Sequence, residues 1–367
     1  MSEPDDFLRD RLRPAPPGGP PRQPPRPPGH DPRPAPPQRH APPPPIDGSD
    51  RPSWGHLDFS PSVAREPRQP TPKYGWRYAV LRATFGLINL GPSAHEKQAA
   101  GYETTIGSAL RGNYKVGVLG KGGVGKTTVA ASVGSIFAEL RRQDRVVAID
   151  ADTAFGRLGS RIDPQTSGSY WEIAADKNLQ SFADVSSRVG SNSAGLYVLA
   201  GEPTAGPRRV LDPALYREAT SRLDRHFTIA IVDCGSTMDA PVTQEAISDL
   251  DALIVVSSPW ADGASAAAQT MEWLATHGRN GLLRRTVVVL NDSDGHSDKR
   301  TRSVLAGQFV DRGQTVVEVP FDPHLRPGGV IDVREEMGRT TRRKFLQIAA
   351  AVAGFFASRP ESTRERH

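Results

Sequence analysis

From Tyr114 onward two patterns alternate along the chain. Short apolar runs, most of them closing on a glycine or a polar side chain, are separated by longer stretches with apolar residues every three or four positions. The runs are KVGVLG (115–120), RVVAID (145–150), LYVLAG (196–201), TIAIVD (228–233), ALIVVSS (252–258), RTVVVLN (285–291) and TVVEVP (315–320). Val, Ile and Leu in near-continuous runs mark strands covered on both faces, unlike the alternation of a half-exposed sheet. TTVAASVGSIFAELRRQ, DPALYREATSRLDRHF and ADGASAAAQTMEWLATHG, lying between them, have helical periodicity. The expected fold is α/β: a mostly parallel sheet of seven or eight strands with helices on both faces.

Two further helical patterns precede the first strand. In GWRYAVLRATFGLINLG, Trp76, Val80, Leu81, Phe85 and Ile88 recur at roughly helical spacing. GPSAHEKQAAGYETTIGSALRG reads as a second helix, with Ser93 as N-cap and Glu96 three residues on, the signature of a capping box. Residues 73–112 are therefore expected to form a helical extension packed on the main domain, with partner docking as the alternative. At the other end, TTRRKFLQIAAAVAGFFAS places Phe345, Ile348, Ala349, Val352, Phe355 and Phe356 on one stripe. Gln347, Ala350, Ala351 and Ala353 lie opposite, with no basic residue beyond the first turn. That suits a core helix better than one lying on lipid, so peripheral membrane contact is not expected.

Composition separates the leader from the rest. Residues 1–72 hold 23 of the 34 prolines and almost no aliphatic clusters. Proline fixes φ and donates no backbone hydrogen bond, so a disordered, extended, polyproline-like arm is expected there. The main domain is then 113–358, followed by a polar tail, 359–367. The net charge of +5 is too small to argue for nucleic acid by itself. One cysteine, Cys234, excludes a disulfide framework and fits a cytoplasmic location. MSEPDDFLRD has no apolar core of a secretory signal. No run approaches the roughly 18 apolar residues of a membrane-spanning helix.

The chemistry concentrates at the end of the first strand. Gly120, Lys121, Gly122, Gly123, Val124, Gly125, Lys126 and Thr127 fit G-x-x-x-x-G-K-[ST], between a predicted strand and a predicted helix. Glycines let successive backbone N–H groups converge on phosphate oxygens, and the helix N-terminus adds a favourable dipole. Lys126 is placed to reach the β- and γ-phosphates, and Thr127 to ligate Mg²⁺. Asp233, closing TIAIVD, is the candidate carboxylate for that ion. RVVAID leads into Asp150 and Asp152, two carboxylates suited to the metal and to a water near the γ-phosphate. Cys234 has no partner for a nucleophilic role beside it in sequence and reads as a small core residue.

KGGVGKTT, with Lys121 directly after the first glycine, resembles the deviant Walker A loop of ParA/MinD-type ATPases. The resemblance covers roughly residues 114–357. It implies a P-loop NTPase fold that takes ATP and Mg²⁺, including Thr128 in the loop, and forms a homodimer in the ATP state. It also implies that Lys121 crosses to the other subunit's nucleotide and that Asp152 is the hydrolytic aspartate. The proline common after that aspartate is absent; Thr153 stands in its place. Asn291 matches the adenine-reading position, and Pro320 and Asp322 match the loop over the base. Gly75-Trp-Arg77 and Ile88-Asn-Leu-Gly-Pro-Ser93, behind a proline-rich leader, resemble the EspI-type proteins associated with type VII (ESX) secretion. That implies a cytoplasmic ATPase that regulates or assists secretion, with protein partners contacting residues 1–112. Two alternatives stand beside it. One is a DNA-dependent partition ATPase, with Arg284–Arg285, Lys299–Arg300–Arg302 and Arg339–Arg342–Arg343–Lys344 as candidate basic patches. The other is an ATP-sensing scaffold with little turnover.

Overall fold

The computed structural model describes residues 70–72, 74–152, 156–166, 168–176, 178–201 and 210–358. Residues 1–69 of the expected disordered arm, Thr153 and the polar tail lie outside the described residues. The order begins α1 (Gly75–Ala83), α2 (Ala94–Ile106), β1 (Tyr114–Gly120), α3 (Lys126–Leu140) and β2 (Val146–Ala151). Three short helices follow: α4 (Leu158–Ile162), α5 (Tyr170–Ala175) and α6 (Phe182–Ser186). Next come β3 (Gly190–Ser191), β4 (Leu196–Leu199), α7 (Pro213–Leu223), β5 (Ile229–Cys234), α8 (Pro241–Ser248) and β6 (Ala252–Ser257). The described chain closes with α9 (Ala261–Thr276), α10 (Asn280–Arg284), β7 (Thr286–Asn291), α11 (Lys299–Val310), β8 (Thr315–Val319) and α12 (Arg339–Ala353).

The strands form one eight-stranded sheet in the order β3-β4-β2-β5-β1-β6-β7-β8. All neighbours run parallel except the two-residue edge strand β3, which pairs antiparallel with β4. The seven apolar runs became the seven parallel strands, each within a residue or two of its expected bounds. Every residue of β1, β2, β5, β6 and β7 is buried. Their side chains divide by parity between two cores, as the period of two requires. Val116, Val118, Val146 and Ala148 pack with α3 and α12, while Val147, Ile149, Leu253 and Val255 face α7, α8 and α9.

In α12, Phe345, Ile348, Ala349 and Val352 are all fully buried or nearly so, as the stripe predicts. In α2 the capping box forms: the Ser93 hydroxyl accepts from Glu96 N, and the Glu96 carboxylate accepts from Ser93 N. That helix packs through Ala99, Tyr102 and Ile106 on the core. The expectation for the first helix needs correction. It ends at Ala83 rather than running through Ile88, and none of its residues is buried. Phe85 adopts φ 47° in the turn that follows, a conformation that stops a helix. Trp76, Phe85 and Leu87 project 67%, 95% and 88% exposed, so this part of the extension is not a packed layer. Among the described residues no helix is long and apolar enough to cross a membrane.

Candidate nucleotide-binding site

β1 sits mid-sheet between β5 and β6, which it meets on opposite sides. A crevice at the carboxyl ends of such strands is where open parallel sheets bind ligands. The loop 120–125 lies there and runs into α3. Two of its glycines are dictated by space. A Cβ on Gly120 would lie 2.2 Å from the Val256 carbonyl oxygen, and one on Gly125 would lie 2.5 Å from Asn291 Nδ2. Both have positive φ, 151° and 94°, as does Gly123 at 85°. Asn291 Nδ2 donates to the Val124 carbonyl at 2.9 Å, so this side chain braces the loop from the end of β7.

The two loop lysines have different surroundings. Lys126 is 8% exposed, and among the described residues its ammonium bonds the Lys121 backbone carbonyl alone, at 3.4 Å. A buried cation with one long contact is poised for an anion in the cradle. Lys121 is half exposed and forms a 2.7 Å ion pair with Asp262 in the first turn of α9. That hydrogen bond holds the Asp262 carboxyl below its usual range. Nothing local in the chain points to this pairing, which spans 141 residues.

Asp150 and Asp233 are register partners on adjacent strands, both 1% exposed. Burial pushes both carboxyl pKa values well above the usual range; the charge of Asp150 raises Asp233 further, and the charge of Asp152 raises both. Asp150 accepts from the backbone N–H groups of Asp152 (3.2 Å) and Leu158 (3.0 Å). Neither oxygen of Asp233 has a hydrogen-bond partner among the described residues. Thr127 and Lys126 are close enough to pull its pKa down, yet no donor reaches good geometry. Two orphaned, buried carboxylate oxygens beside a threonine hydroxyl suit a hard divalent cation, which takes oxygen donors. Cys234 is buried and its thiol is pushed up to about 12, consistent with an inert core residue.

The sign of these shifts yields a test. A carboxyl whose folded pKa is raised supports stability that is full below its unfolded pKa and lost as pH rises through the folded value. The metal-free, nucleotide-free protein should therefore melt lower at about pH 9 than at about pH 6. Asp233→Asn should raise the midpoint at the alkaline end by several degrees and flatten the profile. Identical slopes in both proteins, read by calorimetry, would show that the pair carries no such strain.

Pro320 and Asp322 follow β8. Asp322 is 6% exposed and accepts from His324 N at 3.1 Å and Gly338 N at 2.9 Å, so it shapes its own loop. The structure thus gathers residues 120–128, Asp150, Asp233 and Asn291, with Asp152 two residues from Asp150. The loop of Pro320 and Asp322 is joined to them through Arg161, which sequence reasoning did not single out. Its guanidinium meets Thr128, Leu325 and Gly329.

A family profile described as the CobQ/CobB/MinD/ParA nucleotide binding domain matches residues 118–327, more than half of the chain. The chain belongs to this nucleotide-binding family. The cell division ATPase MinD of Pyrococcus furiosus superposes with a TM-score of 0.52 at 19% identity, covering 66% of this chain and 99% of that one. MinD of Pyrococcus horikoshii, solved with Mg-ADP, gives 0.50 at 20% identity, covering 67% and 100%. At such identities these two likenesses bear on the fold alone. In sequence, the chain is 32% identical over 286 residues to the ESX-1 secretion-associated protein EspI of Mycobacterium tuberculosis. The match takes in 77% of this chain and 42% of EspI, so the chain spans less than half of that relative's length. An uncharacterised ATP-binding protein of Methanocaldococcus jannaschii is 26% identical over 241 residues, covering 64% of this chain and 86% of that protein. Within this CobQ/CobB/MinD/ParA domain, the glycine-rich loop 120–125, Asp150 and Asp233 stand at the carboxyl ends of β1, β2 and β5.

Proposed function

We propose that the protein is an ATP-binding and ATP-hydrolysing dimerisation switch of the ParA/MinD type, acting in the cytoplasm to regulate or assist type VII secretion. The observation that carries this reading is the pair of loop lysines. Lys126 is buried with an unmet demand for an anion, while Lys121 is exposed at the mouth of the cradle. The pairing of Lys121 with Asp262 supports reading it as a lysine kept for a second subunit.

Lys126 and the loop amides bind and orient the triphosphate, and Asp152 holds the attacking water. Thr127 and Asp233, with Asp150 behind it, would hold Mg²⁺, which supplies charge neutralisation at the phosphates when bound. Lys121 leaves Asp262 to meet the partner's nucleotide. The Lys121–Asp262 pair is solvent-exposed, and exposed pairs shift an equilibrium by roughly five-fold or less. The pair thus parks the lysine without locking it. The link to secretion is supported by the likeness to EspI and by the exposed apolar side chains of residues 74–90, a surface fit for a protein partner.

Binding to DNA is less favoured, because its candidate patches are partly engaged within the fold. Arg285 bonds the Asp251 carbonyl, Arg302 lies beside Asp292 and Glu318, and Arg342 pairs with Glu139.

Phosphate release measured against protein concentration tests the proposal. Activity per molecule should rise with concentration and then level off. Asp262→Asn should move the half-rise to a lower concentration, by about five-fold or less. Specific activity independent of concentration in both proteins would contradict a dimeric catalytic unit.

A further inference from the structure

Arg161 is 7% exposed, and among the described residues no carboxylate pairs with it. Its guanidinium donates to three neutral oxygens: Thr128 Oγ1 at 2.6 Å, the Leu325 carbonyl at 2.8 Å and the Gly329 carbonyl at 3.0 Å. Its own carbonyl accepts from Ile331 N at 2.9 Å. Burial pulls its pKa down. A buried cation needs either a counter-charge or full hydrogen bonding. Here three of its five N–H donors meet neutral oxygens, and no counter-charge stands beside it among the described residues.

The position of Arg161 gives those contacts a purpose. It lies on α4, whose first residue, Leu158, donates its N–H to Asp150. One five-residue helix therefore touches the buried carboxylate pair at one end and the loop 325–331 at the other. Thr128 stands in the first turn of α3, directly after Lys126 and Thr127. Because its hydroxyl oxygen accepts from Arg161, its own proton is turned elsewhere and left free to donate. A nucleotide phosphate in the cradle at the start of α3 would supply the counter-charge that Arg161 lacks.

We propose that Arg161 is a positioning residue that clasps the loop 325–331 and α4, whose Leu158 N–H bonds Asp150, onto the phosphate cradle, and that nucleotide phosphate tightens this clasp. The inference rests on the nucleotide site argued above. It adds a direction of coupling: occupancy of the cradle orders the loop beyond Asp322 and steadies α4 beside Asp150. Since Arg161 itself bonds Thr128, Leu325 and Gly329, none of them assigned to the γ-phosphate, ATP and ADP should tighten the clasp alike.

The test is calorimetric titration of Mg²⁺-ATP and Mg²⁺-ADP, with hydrogen exchange at residues 325–331, in wild type, Arg161→Met and Arg161→Lys. In wild type, either nucleotide should slow exchange in that loop. Arg161→Met should bind both nucleotides at least about ten-fold more weakly, to the same degree, and lose the nucleotide-dependent protection. Arg161→Lys keeps the charge but reaches fewer acceptors, so it should recover part of the affinity and little of the protection. Should Arg161→Met not fold, Arg161→Lys alone decides. Wild-type affinity and wild-type protection in the folded variant would overturn the clasp while leaving the nucleotide site standing. Failure of the wild-type protein to bind either nucleotide would overturn the site itself, and the clasp with it.

Discussion

Lys126→Ala should abolish nucleotide binding, whereas Lys121→Ala should bind nucleotide normally and lose both dimerisation and turnover. The two residues are five positions apart in one loop, yet their settings differ. Lys126 is nearly fully buried, with one long contact to a carbonyl. Charge-assisted hydrogen bonds to phosphate in such a setting contribute about 1.5–3 kcal/mol each, so losing the ammonium should cost roughly 100-fold in affinity or more. The Lys121 side chain is half exposed and is held to Asp262, away from its own cradle. Its removal should leave affinity within about three-fold, since an exposed ion pair is all that is lost in the single subunit. Cations supplied in trans to a transferring phosphoryl group act on its transition state, where they are worth about a thousand-fold or more. Titration with a fluorescent nucleotide and phosphate release, run on both variants, distinguish these outcomes. Equal loss of affinity in both would assign Lys121 to its own cradle and end the trans role.

Asp152→Ala is the second change expected to have a large effect. Turnover should fall by about 100-fold or more, the usual range for removing a group that orients or deprotonates the nucleophile. Binding of Mg²⁺-ATP should not fall with it. The charge of Asp152 adds to the repulsion that raises the pKa of both Asp150 and Asp233, so its removal favours the ionised forms that a divalent cation needs. The backbone N–H of Asp152, which bonds Asp150, is kept in the variant. Phosphate release unchanged in Asp152→Ala would move the protein toward the ATP-sensing scaffold, with any hydrolysis arising elsewhere.

What could be read in the sequence was local. The phosphate loop is contiguous, and its glycines are demanded by backbone contacts within a few ångströms of each other. The parallel strands are legible because burial on both faces leaves little room for polar residues in the run. The capping box at Ser93 is a four-residue pattern and formed as read. The failures share another property. Trp76, Val80 and Leu81 have the spacing of a core helix, but spacing alone does not tell a stripe that meets a core from one that meets solvent. The edge strand β3 is two residues long and too short to leave a pattern. Arg161 meets its partners across 33, 164 and 168 residues, and Lys121 meets Asp262 across 141. No local rule tells which of many arginines will turn inward to such distant acceptors. Asp233 shows the intermediate case: its place at a strand end was visible, while its orphaned oxygens appear only once β2 brings Asp150 beside it.

The account turns on a nucleotide joining two copies of the chain. Light scattering of Asp152→Ala with Mg²⁺-ATP, with Mg²⁺-ADP and without nucleotide measures that directly. A dimer mass with ATP, and a monomer mass in the other two samples and in Lys121→Ala, is the predicted result. A monomer under all conditions, at concentrations where ATP binding is shown to be saturated, would contradict it.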